Sequence, residues 1–166
     1  MTPDEARDFA KGWLNRGRSL HYEIKQLTEY RQKLFDELGG GVASYSPKEI
    51  QTDTVGAQAK ADGLRLAYSE TCEKIERRFA ESAKINNETL DFIGELEDAE
   101  QRALLTGRHV NFKSWGVIYR ELHLGRATAF RHYDVALDNI FSVLYRNNAD
   151  FRYSVDVETT NKIDVN

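Results

Sequence analysis

The chain has 166 residues, of which 30% are charged and only two are proline, with a net charge of −4; this allows one or two small, helix-rich domains with a modest core. No apolar run approaches the roughly 20 residues of a membrane-spanning helix, and no opening stretch reads as a signal peptide. The single cysteine, Cys72, excludes an internal disulfide, so a reduced, cytoplasmic setting without a membrane partner is expected.

In chain order, Thr2-Pro3-Asp4-Glu5 predicts a helix start. Thr2 can cap, proline suits the first helical position, and Glu5 completes a capping box. Trp13, Leu20, Leu27 and Leu34 then recur every seven residues, a coiled-coil-like seam that places Leu27 in a buried contact. Gly39-Gly40-Gly41 should end this helix. Residues 39–56 read as a linker with a short helical signal at Ser46-Pro47-Lys48-Glu49. A second long helix is expected from about Ala57 to Leu96. Its seam is Leu64, Ala67, Thr71, Ile75, Phe79 and Ser82, continued by Ile85, Leu90, Ile93 and Leu96. Two long helices of similar length and a short connection predict an antiparallel hairpin over residues 2–97, with pairing between chains as the competing arrangement.

Asp98 can cap the next helix, Ala99 to about His109, with Ala103, Leu104 and Leu105 facing inward. The stretch 111–137 then carries two helical patterns around His123-Leu124-Gly125. Trp115, Ile118 and Leu122 share one face after the candidate cap Ser114; Ala129, Tyr133, Ala136 and Ile140 share another after Gly125. Helix, short glycine turn, helix is the pattern of a helix-turn-helix, although it also suits two core helices of an ordinary bundle. Residues 98–146 are thus expected to form a compact helical domain whose last helix stops at Asn147-Asn148. Residues 147–166 read as a polar tail. In it Phe151, Tyr153, Val155 and Val157 alternate with period two, so it is expected to be disordered alone or to add as a strand to another chain. The fold expected is all-α.

If the second helix of the pair is a recognition helix, its outward face carries Arg126, Ala127, Phe130, Arg131 and Asp134. Arginine can bond guanine bidentately, and an apolar group such as Phe130 can meet a thymine methyl. Lys113, Arg120 and Thr128 are placed to touch phosphates. Arg126 and Arg131 are about 140° apart around the helix, so they cannot point the same way. Residues 101–137 hold six basic residues and two acids, a net of +4, which leaves 17 basic and 25 acidic residues elsewhere. A positive module on an acidic body suits a protein that meets double-stranded DNA with one end.

No catalytic constellation emerges. His21, His109, His123 and His132 lack metal-ligand spacing. Cys72 reads as a small buried hydrophobe rather than a nucleophile. Glu70, Glu73 and Glu76 read as a solvated helix face. Gly39 to Gly41 lacks the lysine and hydroxyl residue of a phosphate loop. No enzyme, metal or cofactor is expected.

At Leu104–Leu137 the chain resembles region four of sigma-70-type factors. Asn111-Phe112-Lys113-Ser114-Trp115, Arg131 and Ala136-Leu137 are similar to the ArpU/RinA-like phage transcriptional regulators, and Tyr45 to Thr52 resembles the linker of that family. The resemblance covers roughly residues 8–144. It differs at Gly125, where the family often has serine, and at Gly116 and Tyr119, where glutamate and alanine are usual. It implies a phage or prophage regulator of late or lysis-linked genes, acting in the bacterial host cytoplasm, with RNA polymerase and a second copy of the chain as further partners. The competing class is an oligomeric interaction or DNA-packaging protein such as a small terminase subunit. There the DNA-binding part usually precedes the oligomerisation helices; here it follows them.

Overall fold

The computed structural model describes residues 1–39 and 54–163. Among them every regular element is an α-helix apart from one π-helical turn, so the all-α expectation holds. The expected linker helix at Ser46–Glu49 lies outside the described residues. The helices are α1 (Pro3–Leu14), α2 (Arg18–Glu37), α3 (Thr54–Gly94), α4 (Ala99–Leu105), α5 (Trp115–Glu121), α6 (Arg126–Asn147) and α7 (Ala149–Ile163), with the π turn at Thr106–Val110 after α4. The chain forms two compact units, residues 1–18 with 84–166, and residues 19–83.

In the first unit α1 begins as its sequence dictates. The Thr2 hydroxyl accepts from the Glu5 amide at 3.3 Å, and the Thr2 amide donates to the Glu5 carboxylate at 2.8 Å. This capping box satisfies amides that no helical carbonyl can reach. One helix running on to the glycines at 39–41 is not what forms: the chain breaks at Asn15–Gly17. The Asn15 amide bonds back to the Lys11 carbonyl, and the Arg16 Nε to the Trp13 carbonyl at 2.9 Å. Gly17 is buried, and a side chain there would begin 3.3 Å from Asn86 Oδ1. The heptad count passes through this break, so Trp13 joins the core of the first unit while Leu20, Ile24 and Leu34 are buried in the second.

That first core is built on α6, where Ala129, Tyr133, Ala136, Leu137, Ile140, Val143 and Leu144 are all buried. α1 supplies Ala10, Trp13 and Leu14, and α4 supplies Leu104 and Leu105. Ala103, expected inward, is exposed. The Arg7 guanidinium grips Asp138 on α6 through two bonds of 2.7 Å, a bidentate geometry that fixes orientation as well as position.

The tail differs from the expected strand or disordered segment. It is helix α7, with Phe151 and Val155 buried in the core and Tyr153 exposed. Phe151 and Val155 are four residues apart, which on a helix is one face. Asn148 makes the second helix possible. It terminates α6, and its side-chain oxygen accepts from the Phe151 amide at 2.9 Å, capping α7.

In the second unit Glu23 on α2 pairs with Arg78 on α3 at 2.9 Å, and Phe35 meets Tyr68 at 6.3 Å between ring centroids. These contacts follow opposite chain directions, so the two helices run antiparallel there. The buried stripe of α3 is Thr71, Ile75 and Ser82; Phe79, expected within it, is 56% exposed. Relative to Thr71 it sits about 80° around the helix, against about 20° for Ser82. Leu90, expected on the later seam, is also exposed, and Thr89 takes the buried position. Leu27, expected to be buried, is half-buried, whereas Leu34 is closed off.

Two stability measurements check this fold. In denaturant melts Leu34→Ala should cost about 2–5 kcal/mol and Leu27→Ala less than half of that. Phe151→Ala should cost about 3–5 kcal/mol, a cost that a disordered tail would not show.

Candidate nucleic-acid interface

The residues from Asn111 to Arg131 meet around α5, a short connection and the start of α6. Ser114 and Gly125 occupy the N-cap positions of α5 and α6 with extended backbone, as their sequence positions suggest, although neither supplies a side-chain cap. The first amides of α6 therefore have no protein acceptor from a cap. The connection is closed by backbone geometry. The Leu124 amide reaches the Tyr119 carbonyl at 3.0 Å, and the His123 amide reaches that of Arg120 at 3.4 Å. His123 takes the left-handed conformation at φ 52° that this helix ending requires, a place more often held by glycine.

An aromatic cluster joins the two helices. Trp115 lies 4.9 Å from Phe130 and 5.0 Å from Tyr133, and Tyr119 lies 6.1 Å from Phe130. Arg108 sits over the Trp115 ring at 5.2 Å. Phe130 is thus partly buried in the joint between α5 and α6 rather than standing outward as expected. Ile118 is buried beneath this cluster.

The expected contact residues are brought together unevenly. Arg120, Arg126, Ala127 and Arg131 are exposed, and Thr128 is partly covered. Among the described residues the three arginines have no carboxylate partner. The Arg126 guanidinium lies 5.9 Å from the Phe130 ring, and Arg120 Nε reaches only its own helix, at the Gly116 carbonyl. Lys113 is engaged: its ammonium bonds both Glu121 oxygens at 2.7 and 2.9 Å. Glu121 therefore neutralises the lysine while leaving the arginines as free cations.

Beneath this surface lies a polar network that sequence spacing did not reveal. His109, in the π turn, is buried. Its Nδ1 lies 3.1 Å from Asn15 Oδ1 and its Nε2 2.9 Å from the Tyr133 hydroxyl. Arg18 donates to the same Asn15 oxygen at 3.2 Å. That oxygen only accepts, so the proton belongs on Nδ1, and Nε2 accepts from Tyr133. Burial, then the nearby Arg18 and Arg108, push the His109 pKa down to about 3. Burial likewise pushes the Tyr133 hydroxyl up to about 12. Asn15 and His109 are 94 residues apart, and no local pattern links them. His132 bonds Glu100 on α4 and so ties α6 to α4. No group of side chains suited to a metal occurs among the described residues, and no helix among them is long and apolar enough to cross a membrane.

A family model described as "Protein of unknown function (DUF1492)" matches residues 43–140. No curated protein matches the chain, and no solved structure does.

The His109 network makes stability depend on pH. The unfolded imidazole titrates near 6.5, well above the folded group, so the unfolded chain binds more protons below that pH. The contribution is complete above about pH 6.5 and is lost as pH falls toward 3. Between pH 6.5 and 5, above most carboxylate titrations, it should amount to about 2 kcal/mol. Denaturant melts across that interval should show this loss in the wild type and little of it in His109→Gln.

Proposed function

The chain belongs to the DUF1492 family of unknown function, and we propose that it is a sequence-specific DNA-binding regulator of phage or prophage transcription. In this reading α5 and α6 are a helix-turn-helix, and the start of α6 enters the major groove of duplex DNA. The antiparallel α2–α3 pair is a hairpin arm for a second copy of the chain or for RNA polymerase, and late or lysis-linked genes are the expected targets. One observation carries the reading. The first two turns of α6 expose Arg126, Ala127 and Arg131 on one side, while buried Ala129 and Tyr133 anchor the same turns to the core.

The roles differ with placement. Arg126, at the beginning of the helix, is the base reader; bidentate arginine bonds to guanine discriminate between base pairs. Arg120 and Arg131 flank it as phosphate contacts, with Thr128 beside them. Phe130 acts indirectly, by setting the angle between α5 and α6 through Trp115. Lys113 must leave Glu121 before it can meet a phosphate.

Fluorescence anisotropy with a duplex selected from a random-sequence pool, and with its scrambled counterpart, tests these assignments. Arg126→Ala should weaken the selected duplex by about 1–3 kcal/mol and relax preference at one base pair. Equal weakening of both duplexes would remove Arg126 as a base reader. Glu121→Gln should release Lys113, tighten both duplexes alike and steepen the salt dependence by about one counterion. Absence of binding to any duplex at low salt would contradict the function itself.

A further inference from the structure

A second surface of the first unit is unlike the α5–α6 face in charge and shape. α1 and α7 both pack on α6 and leave between them a groove of about 670 Å³. Its floor is aromatic: Phe9 and Trp13 from α1 and Phe151 from α7. Its rim is acidic, with Glu5 and Asp8 on α1 and Asp150 and Glu158 on α7. At one end Arg16 stacks on the Trp13 ring at 3.8 Å and pairs with Glu88 at 3.2 Å. The chain's own guanidinium thus already occupies a cation–π position there.

We infer that this groove docks a cationic, amphipathic helical segment of a partner protein. The lining positions on α1 recur at helical spacing from Glu5 to Trp13, and those on α7 from Asp150 to Glu158, so the two helices present facing stripes. A third helix laid between them would put its apolar face on Phe9, Trp13 and Phe151 and its lysines or arginines against the carboxylates on both sides. Five carboxylates line the groove; Arg16 pairs with Glu88 and Lys11 with Asp8, and the excess of negative charge left over sets the sign of the occupant, since like-charge approach at such a rim is costly. The groove is also open where an occupant needs space: Gly12 lines it, and a Cβ added there meets nothing within 4 Å. Phosphate-bearing ligands are repelled by the same rim, so this surface is distinct in partner from the DNA-binding face.

The test uses the full chain and two synthetic helical peptides of equal length with the same leucine face, one carrying lysines and one glutamates. Binding is read from the indole N–H resonance of Trp13, with Trp115 as the internal reference. The lysine peptide should shift Trp13 saturably and leave Trp115 still; the glutamate peptide should shift neither. Gly12→Leu adds a side chain on the groove lining, its Cβ meeting nothing within 4 Å, and favours the helix, so it should fold and weaken the lysine peptide at least about tenfold. Glu158→Lys should weaken it comparably, with salt mimicking the change in the wild type. The inference is overturned if Trp13 does not respond, if Gly12→Leu binds the peptide as well as the wild type, or if the glutamate peptide binds equally. Neither substitution touches residues 113–131, so DNA binding by the same variants separates failure here from failure of the DNA reading.

Discussion

The burial of α6 is the constraint on which the first unit depends. Its buried residues recur on successive turns from Ala129 to Leu144 and extend beyond a single narrow stripe. A helix of that kind cannot stand in water with one partner. α1, α4 and α7 each cover part of it, and each fully buried leucine or isoleucine contributes about 1.5–3 kcal/mol relative to exposure. Alanines at positions 10, 129 and 136, all fully buried, permit close approach where larger residues would hold the helices apart. At the beginning of α6 Ala129 is enclosed while Arg126, Ala127 and Arg131 face outward. The exposed arginines there are therefore held on a rigid element, the arrangement that precise recognition requires.

Charge is segregated within the same unit. Among the described residues the arginines of the α5–α6 face have no carboxylate partner, Glu121 is paired with Lys113, and Glu100 with His132. The α1–α7 groove carries carboxylates over an aromatic floor. Between these regions run neutral or internally satisfied polar links. His109, Asn15 and Tyr133 satisfy one another, and no buried side-chain donor or acceptor among the described residues lacks a partner. The His109 link joins the end of α1 to the π turn and α6, so the break at Asn15–Gly17 has a structural use: it turns the asparagine side chain toward the histidine.

Much of this was legible in local sequence. The capping box at Thr2, the Asp98 cap, the connection before Gly125 and the inward face of α6 all follow from neighbours a few residues apart. What failed did so for identifiable reasons. Phe151, Tyr153, Val155 and Val157 fit a strand by alternation, but Phe151 and Val155 also fit a helix at four-residue spacing, and the cap from Asn148 with the open side of α6 decides between them. The heptad from Trp13 to Leu34 does not form one seam, because the break at Asn15–Gly17 sends Trp13 to the first core while Leu20 and Leu34 are buried in the second unit and Leu27 is half-buried. Phe130 reads as outward in the sequence because Trp115 and Tyr119, which cover it, lie on another helix. The tie between Asn15 and His109 depends wholly on tertiary folding.

In the proposed reading the start of α6, and no other face of the first unit, meets DNA. Backbone amide NMR of the full chain, titrated at low salt with random-sequence duplex DNA, tests it most directly, because electrostatic binding needs no knowledge of the operator. Shifts should be confined to residues 113–131, with the later turns of α6 and the α1–α7 groove unmoved. Shifts concentrated on α1 and α7, or no saturable shifts at all, would contradict it.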